Sequence, residues 1–530
     1  MYSEIADVVV VGSGNAGFSA AASAKEHGAT KVVLLEKAPE SWAGGNSTFT
    51  AGAYRTVFYG LKDVLSLPVR NVTPEMEDKI DMEPYLESDF MNDLMRVTNG
   101  RSDPKLAKKL VGESNATTKW LSKNGIRFAL SFNRQAYNIG GRQKFWGGMV
   151  LMVEDGGKGL IKQHQTNARR LGVDVRYDSP VVCLITDSAG DVTGVAVRNQ
   201  DGSTYNIKAN GGVILCAGGF ESNAQMRAQH LGPNWDLAYV RGTPHNTGDL
   251  LKIAINEIGA RPAGNWSGCH STCWDFNAPT DAGNQVLTNQ YTKSGYPLGL
   301  MFNADGVRFV DEGEDMRNYT YAKFGRAILQ QPNGVAFQVW DADGASWLRK
   351  EEYADDVVEK IWANTIEELG QKLQAKGMRS PQSFVDSISE YNKGVEAFRR
   401  ERPNAEFDPS KKDGVSTRSS SGGLSLGPDK TNWALPIVKS PFIAVKITCG
   451  ITFTFGGLKT DADTAGVISQ ITDKPIPGLY VAGEMVGGLF YGNYPGGSGL
   501  TQGAVFGRTA GREAAKRAER SPYSKKSARL

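Results

Sequence analysis

The residues best suited to chemistry open near the start of the chain. Gly12-Ser13-Gly14-Asn15-Ala16-Gly17 follows an apolar run from Ala6 to Val11 and opens an alanine-rich segment from about Ala16 to His27. Gly12 permits a tight turn, Gly14 lets backbone N–H groups approach a pyrophosphate, and Gly17 lets the helix pack on the strand. The helix N-terminus offers its positive end to negative charge. A second apolar run, KVVLLE, ends on Glu36, a carboxylate placed to accept hydrogen bonds from ribose hydroxyls. Strand, helix, second strand and acid in register make this a strong dinucleotide signal, where a lone GxGxxG is weak. Lys37 comes next, and Gly44-Gly45-Asn46-Ser47 and Ala51-Gly52 add a second glycine turn. Such a turn suits a ligand that continues past the pyrophosphate, as FAD does. One complete fingerprint, with no CxxxxC pair, argues against a separate nicotinamide-binding domain.

Other candidates lie far downstream. His270, in NWSGCHST, is one of five histidines; Cys269 and Cys273 flank it at neither CxxC nor CxxCH spacing, so metal and haem are disfavoured. Arg55 and Arg142, the latter in a GGR turn, are spare cations. A second glycine cluster, GGLFYGNYPGGSGLTQGAVFGR, spans 487–508 and carries Tyr494 inside it.

The elements that must position these groups are legible as patterns. VDVRYDSPVVCLITD, DVTGVAVRN and STYNIKA alternate between Asp/Gly turns as a β-meander, and GGVILCAGG returns as a buried strand to Ala217-Gly218-Gly219. PGLYVAGE repeats the pattern, closing on Gly483-Glu484. Between Phe220 and about Gly423 aromatics rise, and helices are expected over Asp355 to Ala375 and Ser383 to Arg400. The expected fold is α/β: a Rossmann-like FAD-binding domain with a β-meander, discontinuous over 1–235 and 424–515. An inserted α+β capping domain fills 236–423, and a basic tail occupies 516–530.

Composition bounds the rest. At 530 residues, 40% hydrophobic and 22% charged, the chain can bury a sizeable core. A net charge of +3 is too small to imply nucleic acid. Cysteines at 183, 216, 269, 273 and 449 lack framework spacing and read as reduced thiols. No stretch reaches the ~18 apolar residues of a membrane span, and no basic n-region precedes the first strand. The reading is cytoplasmic, or peroxisomal in a eukaryote, because Ala528-Arg529-Leu530 is a variant of the Ser-Lys-Leu address.

The ordered motifs GSGNAG, EKAPE…GGN, AGG, TGD, GVRFVDE, PGLYVAGE and the closing glycine cluster resemble the fumarate reductase/succinate dehydrogenase flavoprotein family over nearly the whole chain. The resemblance implies non-covalent FAD, since GGNSTFTAG lacks the histidine of covalent members. It implies cofactor contacts from Gly12, Gly14, Asn15, Ala16, Gly17, Glu36, Lys37, Gly44, Gly45, Asn46, Ser47, Ala51, Gly52, Val182, Ala217, Gly218, Asp249 and Glu484. The Gly499 and Leu500 N–H groups would face the pyrimidine carbonyls. His270 follows the TGD motif at the spacing of a carboxylate-binding histidine, and Arg317 falls near the family's proton-transferring arginine. The family's upstream proton relay has no counterpart, since QYTKSGYPLGLMFN offers only Lys293 and tyrosines. Tyr494 stands where fumarate reductases carry an arginine, and Thr452 and Phe453 where they carry a histidine, so fumarate itself is disfavoured.

GITFTFGGL, RNYTYA and GNYPGGSGL are similar to tricarballylate dehydrogenases, and the tyrosine also to 3-ketosteroid Δ1-dehydrogenases. The implied activity interconverts a saturated C–C bond and an alkene beside a carboxylate, on a tricarballylate- or cis-aconitate-like polycarboxylate, by hydride exchange at flavin N5. Catalysis falls to His270, Arg317 and Tyr494, with Thr452 and Arg142 as further substrate ligands. The alternative is desaturation of a cyclic ketone. Either way a small-molecule substrate is joined by a separate electron acceptor: a quinone, an electron-transfer protein or O2.

Overall fold

Val8, Val9 and Val10 are fully buried, as a strand covered on both faces requires. They belong to β1 (Glu4–Val11) of a computed structural model that describes residues 2–520. The helix α1 (Asn15–Glu26) and the strand β2 (Val32–Leu35) follow. Further along come β3 (Asp174–Arg176), β4 (Val181–Thr186), β5 (Val192–Arg198) and β6 (Thr204–Leu215). The sheet runs β4-β5-β6-β1-β2-β3, and strand Pro475–Val481 joins on β6. β1 is parallel to β2 and β6, with Val8 opposite Val32 and Val9 opposite Val213. β4, β5 and β6 are antiparallel, which is the expected meander. The meander's last strand and the returning strand are one element, since β6 pairs β5 with its first half and β1 with nearly its whole length.

The helix Ser498–Arg520 closes this unit against α1. Gly507 and Gly511, four residues apart on one helix face, allow the approach. A Cβ on Gly511 would lie 2.2 Å from the Ala20 carbonyl oxygen, and one on Gly507 would lie 2.5 Å from that of Ala16. Any side chain there would push the two helices apart.

The chain divides into two units: 1–232 with 242–269 and 452–530, and 233–241 with 270–451. The second extends past the expected boundary at 423 because strand Phe442–Leu458 carries its sheet, pairing Ala336–Trp340 and Ile361–Ala363 antiparallel. Leu300, Phe302, Phe337, Leu369, Phe384 and Tyr391 form the core beneath helices Ile366–Gln374 and Pro381–Glu401. Phe302 and Phe384 meet edge to face at 4.8 Å, and each such buried ring is worth about 1.5–3 kcal/mol.

The helix expected over Asp355 to Ala375 is shorter. Ile361–Ala363 is a strand, and Thr365 caps the helix by accepting from the Glu368 N–H at 3.1 Å. The second expected helix begins at Pro381, after a Ser380 cap. No helix among the described residues is long and apolar enough to cross a membrane. The last ten residues, with Ala528-Arg529-Leu530, lie outside the described residues.

Candidate active site

The first loop is built to be tight. Gly12 has φ +106°, and a Cβ there would sit 2.3 Å from the Cys216 carbonyl oxygen. The loop delivers Asn15, Ala16 and Gly17 into the first turn of α1, whose N–H groups have no intrahelical acceptor and are suited to an anion. Glu36 closes the loop: its carboxylate accepts from the Ser13 N–H at 2.9 Å, the Ser13 hydroxyl at 2.7 Å and the Ala38 N–H at 2.9 Å. The second turn locks onto the first. The Gly44 N–H donates to the Ser13 hydroxyl at 3.0 Å, and the Asn15 N–H donates to the Ser47 hydroxyl at 3.0 Å. Gly45, at φ +54°, has open space where a side chain would be, so the backbone here can meet a ligand closely. Ala51 and Gly52 back onto helix Gly156–Leu171, where the Gly157 N–H donates to the Thr50 carbonyl at 2.9 Å.

Lys37 donates to Thr247 and to Asp249, each at 2.7 Å, and so joins two expected cofactor residues. Burial works against the Asp249 charge, but Lys37 outweighs it and holds the carboxyl below its usual range. Val182 lies at the register shift between Val181 and Cys183 of β4, and the Ala217-Gly218 turn follows β6.

The two glycine clusters meet at Asn15. Its amide N–H donates to the Leu500 carbonyl at 2.8 Å, and its amide oxygen accepts from the Tyr54 hydroxyl at 2.8 Å. His164 Nε2 lies 3.0 Å from that same oxygen, and burial pushes its pKa down to about 3. Gly499 and Leu500 form the first turn of helix Ser498–Arg520, where their N–H groups lack intrahelical acceptors. The Tyr494 ring is 9% exposed and packs with Phe453, Phe455 and Phe490 at centroid distances of 5.8, 6.2 and 5.3 Å. The Thr452 carbonyl accepts from the Asn46 amide.

In the second unit, His270 is buried at 2% exposure, edge-on to Tyr321 at 4.9 Å. Burial, and then the Arg241 charge, hold its pKa well below the ordinary value, so it is a neutral imidazole. Arg317 opens the short helix Arg317–Thr320. All four nearby acids hold other donors: Asp311 accepts from Thr431, Glu312 from Arg308, Glu314 from Lys323 and Asp315 from the Met316 N–H. Lys293, the one cation in QYTKSGYPLGLMFN, is fully buried 3.5 Å from Asp275, with its pKa pushed down to about 8 by burial.

Arg142 is held in an ion pair. Its guanidinium is bidentate on the Asp81 carboxylate, Nη2 to Oδ1 at 2.6 Å and Nε to Oδ2 at 3.0 Å, and donates to the Asp78 carbonyl, all at an exposed position. Arg55 is fully buried against Tyr85 at 2.7 Å and the Gly496 carbonyl at 2.8 Å, under the segment that carries Tyr494.

Two residues escaped the sequence reading. Arg241 is buried beside His270 with its guanidinium 5.5 Å above the Trp274 ring. Glu221 is fully buried and accepts from the Asn46 and Asn246 amides, each at 2.5 Å. An acid directly after the AGGF turn was the available signal for the latter.

A parallel sheet that ends in this glycine loop, a carboxylate closing β2 and a second turn shaped for a longer ligand define an FAD-dependent oxidoreductase. The chain belongs to the FAD binding domain family, whose profile matches residues 7–500. It is 29% identical over 518 residues to the probable fumarate reductase Ifc3 of Shewanella frigidimarina, covering 97% of this chain and 76% of that protein. It is 28% identical over 526 residues to the urocanate reductase of Eggerthella lenta, covering 96% and 74%. The crystal structure of 3-ketosteroid Δ1-dehydrogenase from Sterolibacterium denitrificans, in complex with 1,4-androstadiene-3,17-dione, shares the fold. Its TM-score is 0.71 at 20% identity, over 97% of this chain and all of that one. The chain is a flavoenzyme that uses FAD and acts on C–C and C=C bonds.

Proposed function

We propose that the enzyme interconverts a saturated C–C bond and an alkene conjugated to a carboxylate, on a tricarballylate- or cis-aconitate-like polycarboxylate. One observation carries the reading: Arg241 is buried beside the neutral His270. A guanidinium and an imidazole N–H together bind a carboxylate as charge and donor, the combination a buried anion needs. Bound FAD supplies the two-electron chemistry. Holding the carboxylate acidifies the adjacent C–H, and Arg317 is assigned to take or return that proton. Arginine, with a pKa above about 12, performs this only in a site without water. Tyr494 is assigned as a phenol donor to the substrate oxygen that gains charge, and Thr452, on strand Phe442–Leu458, as a further substrate ligand. A separate acceptor (a quinone, an electron-transfer protein or O2) exchanges electrons with the enzyme.

A second reading has its own observation. The apolar surroundings of Tyr494, formed by Phe453, Phe455 and Phe490, favour a cyclic ketone whose oxygen the phenol would polarise.

The test is anaerobic photoreduced enzyme mixed separately with cis-aconitate, fumarate, urocanate and a steroid dienone, with flavin reoxidation followed by absorbance. Reoxidation by cis-aconitate supports the first reading, and reoxidation by the dienone alone replaces it with the second. Reoxidation by none of them refutes both.

A further inference from the structure

Two acids of the first unit converge on Gly219. A Cβ on that glycine would lie 2.1 Å from one oxygen of Glu484 and 2.8 Å from Oε2 of Glu221. Each carboxyl is held at its Oε1 by neutral donors. Glu221 takes the Asn46 and Asn246 amides, and Glu484 takes the Thr454 N–H at 2.7 Å and the Thr454 hydroxyl at 3.0 Å. From helix Ala224–Leu231, Arg227 meets Glu221 only at its backbone carbonyl, at 2.5 Å, among the contacts that hold the acid. Glu221 Oε2 accepts no hydrogen bond among the described residues. Two buried carboxylates that face each other, with no cation paired to either among the described residues, cannot both stay charged. One proton placed between them relieves the repulsion and gives the second oxygen of Glu221 a partner.

The pair also sits where four chain segments join. Asn46 belongs to the second glycine turn, Asn246 to the NTGD segment, Gly219 to the end of the β6 turn and Glu484 to the PGLYVAGE segment. We propose that Glu221 and Glu484 form a two-carboxyl site that retains one shared proton and uses it to lock the flavin-binding segments together, so that losing the proton loosens FAD. The proposal rests on the placement of FAD against these segments.

The direction of the pH dependence follows from the surroundings. Burial, and then the neighbouring acid, push Glu221 well above the carboxylate range; burial likewise pushes Glu484 up to about 7. A carboxyl raised in the folded state keeps a proton that the unfolded chain has released. Its contribution is full at low pH and is lost as pH climbs from the ordinary carboxylate range through about 7.

The test uses the FAD-loaded enzyme between pH 6 and 9, following FAD release by recovery of flavin fluorescence. It adds the infrared carbonyl band of a protonated carboxylic acid in the same samples. In the wild type the band should fade with rising pH and FAD affinity should weaken, by up to about tenfold per pH unit once the proton is lost. Glu221→Gln keeps the acceptor for both amides and offers an N–H to Glu484, so it should retain FAD at pH 9 with a flat profile and no band. Glu484→Gln, at an expected cofactor contact, should also flatten the profile and remove the band while lowering FAD affinity at every pH, which guards against a folding defect in Glu221→Gln alone. A wild-type band without a pH slope in FAD affinity would overturn the lock, as would an unchanged slope in both glutamine variants. Wild-type enzyme that shows the band yet binds no FAD at pH 6 would instead refute the cofactor placement.

Discussion

Replacing Asn15 with alanine should separate the two glycine clusters. The side chain is 2% exposed and, besides meeting His164 Nε2 at 3.0 Å, makes two bonds: it donates to the Leu500 carbonyl at 2.8 Å and accepts from the Tyr54 hydroxyl at 2.8 Å. Alanine leaves both partners without it, in a site too close-packed for easy replacement. An orphaned buried polar group costs about 1–3 kcal/mol, so the pair should cost about 2–4 kcal/mol after partial relaxation. The assignment to cofactor binding decides where that cost appears. If the Asn15–Leu500 bond pre-positions the first turn of helix Ser498–Arg520 for FAD, the loss falls on the bound state. At about 1.4 kcal/mol per tenfold, the FAD dissociation constant should then rise roughly 30- to 1000-fold. Fluorescence titration of the apoprotein measures this, and hydrogen exchange at residues 499–502 should speed up in the variant. An FAD affinity within twofold of wild type, with unchanged exchange in that turn, would refute the reasoning.

Three further outcomes are expected. Tyr494→Phe keeps the ring packing and removes only the phenol, so turnover should fall by about 10²–10³ with unfolding midpoint unchanged; equal turnover would make Tyr494 a packing residue. His270→Ala should cripple turnover and leave FAD bound, and near-normal steady-state rates would remove His270 from the substrate site. Glu312→Gln strands Arg308, its fully buried partner, and should destabilise the second unit by about 3–5 kcal/mol in urea unfolding. Replacing both residues by apolar side chains should cost less than that.

What could be read from the sequence was what is local. GSGNAG, the strands around it and Glu36 lie within one short stretch, so their chemistry depends on nothing far away. Tyr494 stood out because the resemblance predicted a different residue there. The misread helix at Asp355 turned on a single cap, Thr365, whose weight depends on the strand formed just before it. Arg142 looked available because its partner, Asp81, is 61 residues away. Arg241 and Glu221 escaped for the same reason. One is defined by His270 and Trp274, the other by Asn46, Asn246 and Glu484, and only the folded backbone brings those together.

The bond between Asn15 and Leu500 also fixes an order of events during synthesis, since its partners are 485 residues apart in the chain. At about 5–20 residues per second, α1 waits roughly half a minute to a minute and a half for the helix that covers it. Throughout that interval the face of α1 that meets Gly507 and Gly511 is uncovered, and the intervening second unit can fold first. A ribosome that stalls before Gly511 would therefore release a chain whose first helix lacks the Gly507 and Gly511 face it packs against, although Phe18 still stacks on His164. On the assigned cofactor placement, FAD binding would wait until the first turn of helix Ser498–Arg520 has been made.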